Sequence, residues 1–296
     1  MPADSPSAPR ASIRSTRSSP ASATRWRSGR RPSPAERTRR PGGSSVAAVH
    51  NKPGRRVLKR ILWGVAIVLL LAVGGILVWS QVGVMAAEPE PLAAVRENPA
   101  ITVTDAEEGI VLEPADGASD RGLVFIPGAK VDPWAYASIL QGLAEEGTTV
   151  VITRPWLNLA FFDPRGLDSF TSAAPDVDTW AVGGHSLGGV RACQLATDAD
   201  ALVLFASYCA TDLAGTDLPV LSVSGSEDGL STPEKIADAR SELPADAEFV
   251  EIDGASHASF GDYGPQSGDG TPTIDGDEMH AEITEVVGGF LEQVAP

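Results

Sequence analysis

The chain has 296 residues, 43% of them hydrophobic and 21% charged, with a formal net charge of −16 at pH 7. That total hides two opposite parts: residues 1–60 carry 15 Lys and Arg against 2 Asp and Glu, while the remainder carries 8 against 37. So lopsided a distribution points to two compartments or two partners and argues against one uniform surface.

Residues 1–54 are rich in Pro, Ser, Arg and Gly and lack apolar periodicity. They cannot bury enough surface to offset the entropy of ordering, so a disordered, basic cytoplasmic tail is expected. Such charge attracts anionic lipid or nucleic acid, but a solvated topogenic tail with no nucleic-acid partner is the plainer reading. Residues 61–79, ILWGVAIVLLLAVGGILVW, contain no charge. As a helix they reach about 30 Å, the thickness of a bilayer core. KPGRRVLKR precedes them and EPEPLAAVRENP follows, so the positive-inside rule places the N-terminus in the cytoplasm and the acidic part outside. A cleaved signal peptide is the competing reading, with VMA at 84–86 as a small-residue site. The apolar run, however, exceeds the usual length of about 7–15 residues. The expected organisation is a tail over 1–54, a transmembrane anchor helix over 55–82, a stalk linker over 83–99, and one domain over 100–296.

Within that domain, ITVT and GIVLEP (101–114) predict an antiparallel hairpin at a sheet edge. Near-continuous apolar runs at 121–128, 148–153, 178–184, 201–207, 218–225 and 247–253 alternate with helical stretches at 133–147, 187–197, 233–243 and 277–294. The expected fold class is α/β, with a mostly parallel central sheet, helices on both faces and no room for a lid domain.

GHSLG at 184–188 places Ser186 between two glycines, with a predicted strand running into it and a helix running out. A strand-to-helix reversal this sharp strains the nucleophile's backbone and leaves no space for side chains at 184 and 188. GGHSLGG, followed in order by SGSEDGL and ASHASFGDYG, resembles the α/β-hydrolase superfamily. The likeness is to its small capless serine-hydrolase members, family 5-like or dienelactone-hydrolase-like, and it spans about residues 101–294. It implies a Ser, acid, His triad in chain order.

The residues agree with that implication. A serine hydroxyl needs a base, and of the four histidines His50 lies in the tail, His185 in the turn and His280 in the terminal helix. His257, after the last strand, is the expected base. Asp228 in SGSEDGL is the expected acid, with Glu227 and Asp253 as competitors. The amides of Ala129, in FIPGAKVDP, and Leu187 are the expected oxyanion donors. Trp134, Trp156, Phe161, Phe162 and Phe260 fall on loops near the strand ends, and Trp134, Trp156 and Phe260 are expected to bind substrate. Cys193 and Cys209 lie in the exported part, where a disulfide persists; two buried thiols are the equal alternative. A cysteine nucleophile is disfavoured because neither has a base beside it. DYGPQSGDGTPTIDGDE lacks calcium-loop spacing and reads as a plain loop.

These readings converge on a membrane-anchored extracytoplasmic serine hydrolase that cleaves an ester or related acyl bond of a small molecule, with no metal or organic cofactor. The alternatives are an idle binding module of the same fold and an acyltransferase using the same triad.

Overall fold

A computed structural model describes residues 54–117 and 120–294. Apart from Gly54, the expected basic tail lies outside the described residues. The first element, α1 (Arg55–Gln81), is an unbroken helix of 27 residues with its apolar side chains exposed, long and apolar enough to cross a membrane.

Residues 83–99, expected as a stalk linker, are joined to the domain at two points. Met85 makes a parallel bridge to Val131, and α2 (Pro89–Glu97) docks through the fully buried Val95. Asn98 then donates its side-chain amide to Gln141 and Glu145 at 3.0 and 2.6 Å. Two prolines in a nine-residue helix with little apolar periodicity hid this element in the sequence.

The sheet has eight strands: β1 (Ile101–Asp105), β2 (Gly109–Pro114), β3 (Arg121–Ile126), β4 (Thr149–Thr153), β5 (Thr179–His185), β6 (Ala201–Phe205), β7 (Val220–Gly225) and β8 (Glu248–Ile252). Their spatial order is β1-β2-β4-β3-β5-β6-β7-β8. β1 and β2 form the expected antiparallel hairpin, β2 meets β4 antiparallel, and every other neighbour is parallel.

Alternate residues of the central strands enter two separate cores. Leu123, Phe125, Ile152, Val203 and Phe205 face one that contains Leu140 and Leu143 of α3 (Ala137–Glu145) and Val287 and Leu291 of α7 (Gly276–Val294). Val124, Val151, Val182, Leu202 and Leu204 face the other, with Phe170 of α4 (Asp168–Thr171) and Ala192 and Leu195 of α5 (Leu187–Leu195). Burial on both faces is the reason these strands read as continuous apolar runs rather than alternating ones. A last short helix, α6 (Pro233–Asp238), connects β7 to β8.

Cys193 in α5 and Cys209 after β6 form a disulfide across a separation of 16 residues, with Cα atoms 5.6 Å apart. Closing a loop of that size in the unfolded chain is worth about 3 kcal/mol. A Cys193→Ala, Cys209→Ala variant is therefore expected to unfold with about 3 kcal/mol less stability in a denaturant titration. A loss below about 1 kcal/mol would contradict that assignment.

Candidate active site

β5 delivers Gly184 and His185 to the sheet's C-terminal edge, and α5 leaves at Leu187, so Ser186 is the entire turn. Its backbone takes φ 53° and ψ −121°, outside the regions open to L-residues, at a cost of order 1–3 kcal/mol. Four hydrogen bonds hold it there. The Ser186 amide donates to the Phe205 carbonyl at 3.0 Å, and the Ser186 carbonyl accepts from the Gly189 and Val190 amides and from Ser207 Oγ at 2.7 Å. Close approach makes Gly188 obligatory: a Cβ there would stand 1.9 Å from the Ile126 carbonyl oxygen. One at Gly184 would stand 2.5 Å from the Gly188 backbone.

Asp228 sits in the turn that leaves β7. Its Oδ1 accepts the Leu230 and Ser231 amides, both at 2.7 Å, and its Oδ2 accepts from His257 Nδ1 at 2.8 Å. Both side chains are buried. With the Nδ1 hydrogen committed to the carboxylate, Nε2 carries the free lone pair. The His257 ring lies 4.5 Å, centre to centre, from that of His185, the residue preceding Ser186. Among the described residues no hydrogen bond joins Ser186 Oγ to His257; such bonds are commonly long without substrate and tighten when it binds. Of the competing acids, Asp253 accepts from Ser226 Oγ at 3.3 Å, and Glu227 is exposed, whereas Asp228 is buried against His257.

The Ala129 and Leu187 amides have no acceptor among the described residues. Ala129 is held by its neighbours. The Tyr136 hydroxyl takes the Gly128 N–H at 2.9 Å and hydrogen-bonds His185 Nδ1 at 2.9 Å. Burial pushes the Tyr136 hydroxyl far above its ordinary pKa, so it keeps its proton. Burial, with the nearby His257, drives His185 well below its ordinary pKa against a weaker pull from the His257 backbone. His185 is thus a neutral strut between the loop after β3 and the turn at Ser186.

Three expected substrate-binding aromatics have different fates. Trp156 is 56% exposed on the loop after β4. Trp134 is partly buried, with the Arg96 guanidinium 5.1 Å from its ring centre. Phe260 does not line a pocket: it is fully buried, stacked 6.0 Å from His185 and tilted against Phe205 at 5.6 Å. The short 3₁₀ turn His257–Phe260 points it into the core, where it packs on the His185 ring.

Sequence reasoning missed Asp269, in the stretch read as a plain loop. Its carboxylate accepts the amides of His257, Ala258, Gly229 and Gly270 at 3.1, 2.8, 3.0 and 2.7 Å. It ties the turn bearing Asp228 to the turn bearing His257. The only signal was a carboxylate between glycines, which does not reveal a partner 40 residues away. Among the described residues no three His, Cys, Asp or Glu side chains are grouped to hold a metal ion.

Burial raises the Asp269 pKa, but the four amides outweigh it and hold the carboxyl below its ordinary 3.8. A depressed folded-state pKa contributes stability that is present above 3.8 and lost as pH falls through the folded value. Asp269→Ala is expected to destabilise by about 2 kcal/mol at pH 7, by leaving these amides unpaired. The gap from wild type should narrow in unfolding titrations below pH 3.8. A gap unchanged between pH 7 and pH 3 would contradict this.

A family model described as the alpha/beta hydrolase family matches residues 122–281. No curated protein matches the chain. The match begins in β3, ends inside α7, and takes in the Ser186 turn, Asp228 and His257, all carried on the parallel part of the sheet. The chain belongs to the alpha/beta hydrolase family.

Proposed function

We propose that this protein is a serine hydrolase that cleaves an ester or related acyl bond through an acyl-enzyme, anchored by α1 with its domain outside the cell. The observation that carries the reading is the buried Asp228 to His257 bond of 2.8 Å beside a serine held at φ 53°. In the first step Ser186 Oγ attacks the acyl carbon as His257 Nε2 takes its proton. The carbonyl oxygen, now an anion, accepts the free amides of Ala129 and Leu187. The C–O bond to the leaving alcohol breaks as His257 returns the proton to it. A water molecule, deprotonated by His257, then attacks the ester on Ser186 and regenerates the hydroxyl.

Asp228 has two roles in this scheme. It fixes the tautomer with Nε2 free, and it stabilises the imidazolium that forms in each half-reaction. Each oxyanion donor of this kind typically contributes about 2.7–4 kcal/mol to the transition state. The disulfide supports an oxidising location, and the basic flank before α1 supports a cytoplasmic N-terminus.

A fluorophosphonate probe is expected to label the folded protein at Ser186 and to leave Ser186→Ala unlabelled. Turnover of short p-nitrophenyl esters should fall by about 10⁴-fold or more in Ser186→Ala and His257→Ala, and by about 10⁴-fold in Asp228→Asn. Unlabelled but folded wild type would overturn the proposal in favour of a binding module.

A further inference from the structure

We propose that the Ser186 site opens on the face of the bilayer from which α1 emerges, and that its substrates are acyl esters resident in that bilayer. This rests on the hydrolase reading above and on α1 spanning a membrane. Two independent observations carry it.

The first is the tether. A free stalk over 83–99 would let the domain stand up to about 60 Å from the end of α1. Instead the chain is bonded to the loop after β3 within four residues of Gln81, a reach of at most about 14 Å. Met85 donates its amide to the Lys130 carbonyl and accepts the Asp132 amide, both at 2.8 Å. Lys130 follows Ala129 directly. Its Nζ donates to the carbonyls of Trp79 and Val82 at 3.1 and 2.6 Å and lies 4.5 Å from the Trp79 ring centre. The end of the spanning helix is therefore fastened to the loop that carries an oxyanion amide.

The second is the distribution of exposed apolar groups. Beyond residue 82, the large hydrophobic side chains exposed among the described residues are Trp156, Phe161, Phe162 and Tyr208. All four leave the C-terminal ends of β4 and β6, on the same rim as Ser186. The Trp156 to Phe162 loop is also joined to α1: Asn158 donates its side-chain amide to the Ser80 carbonyl at 3.2 Å and accepts the Lys130 amide at 2.8 Å. Leu157 and Asn158 hold φ 59° and 55° there, a shape these bonds sustain. Phe161, edge-on to the Phe162 ring at 5.8 Å, is 74% exposed. Aromatic side chains grouped beside the end of a spanning helix match the head-group region of a bilayer. An acyl chain leaving that region meets the rim of the site without crossing water.

The test uses the full chain in phosphatidylcholine vesicles, with single cysteines at Phe161→Cys or Asp246→Cys labelled by an environment-sensitive fluorophore. Asp246 lies at the opposite edge of the sheet, just before β8, and the native cysteines are paired. Doxyl-labelled phosphatidylcholine is expected to quench the label at 161 at least threefold more than the label at 246. In Phe161→Ser, Phe162→Ser, the ratio of turnover of a bilayer-borne fluorescent acyl ester to that of water-soluble p-nitrophenyl butyrate should fall at least tenfold. Equal quenching at both positions, or an unchanged ratio, overturns the proposal. Fluorophosphonate labelling in the same vesicles separates the two readings. Labelling at Ser186 without a quenching contrast overturns the bilayer placement alone. A contrast without labelling overturns the hydrolase reading, and with it the ester substrate.

Discussion

The molecule is organised around the backbone of Ser186, held where an L-residue does not rest unaided. A strand ends and a helix begins within one residue, and the helix is pressed so close to β3 that position 188 has no room for a β-carbon. The geometry persists because the surroundings over-determine it. Gly184 and Gly188 let the segments approach, Ser207 and Phe205 bind the serine's backbone, and the disulfide ties α5 to the loop after β6. What the strain secures is a serine side chain presented at the sheet edge, directly before the helix amides that begin at Leu187.

Around this turn the loops at the strand ends are bonded to one another rather than only to their own strands. Tyr136 and the neutral His185 connect the loop after β3 to the serine turn, and Asp269 connects the acid turn to the histidine turn. Asp228 spends one oxygen on its own turn and the other on His257. Groups from chain positions 128 to 269 are thus held by two hydrogen-bonded sets that meet where the His185 and His257 rings touch. In the proposed reaction this rigidity aligns donors in advance of the charge they stabilise, where preorganised dipoles act most strongly.

Much of this was legible in the sequence, for identifiable reasons. The parallel strands announced themselves because burial on both faces demands apolar residues at every position, as in LVFI and ALVLF. The serine turn did so because close packing demands glycine at fixed spacing. Asp228 and His257 were expected from their places after strands, with Glu227 and Asp253 as competitors for the acid, and the structure pairs Asp228 with His257 at 2.8 Å. Three features stayed hidden. α2 docks through little more than Val95, too weak a pattern to see. Asp269 acts on backbone amides, and amides leave no mark in a sequence. Phe260 was taken for a pocket wall because its loop is at the site, whereas the 3₁₀ turn directs it inward.

The central claim is that Ser186, His257, Asp228 and the amides of Ala129 and Leu187 form one reacting centre. An experimental structure of the protein after reaction with a phosphonate measures this directly. The account predicts a phosphorus bonded to Ser186 Oγ, its oxygen about 2.7–3.1 Å from both amides, and His257 Nε2 turned to the leaving-group side with Nδ1 still on Asp228. A phosphonate on another residue, or one on Ser186 whose oxygen faces solvent away from those amides, would contradict it.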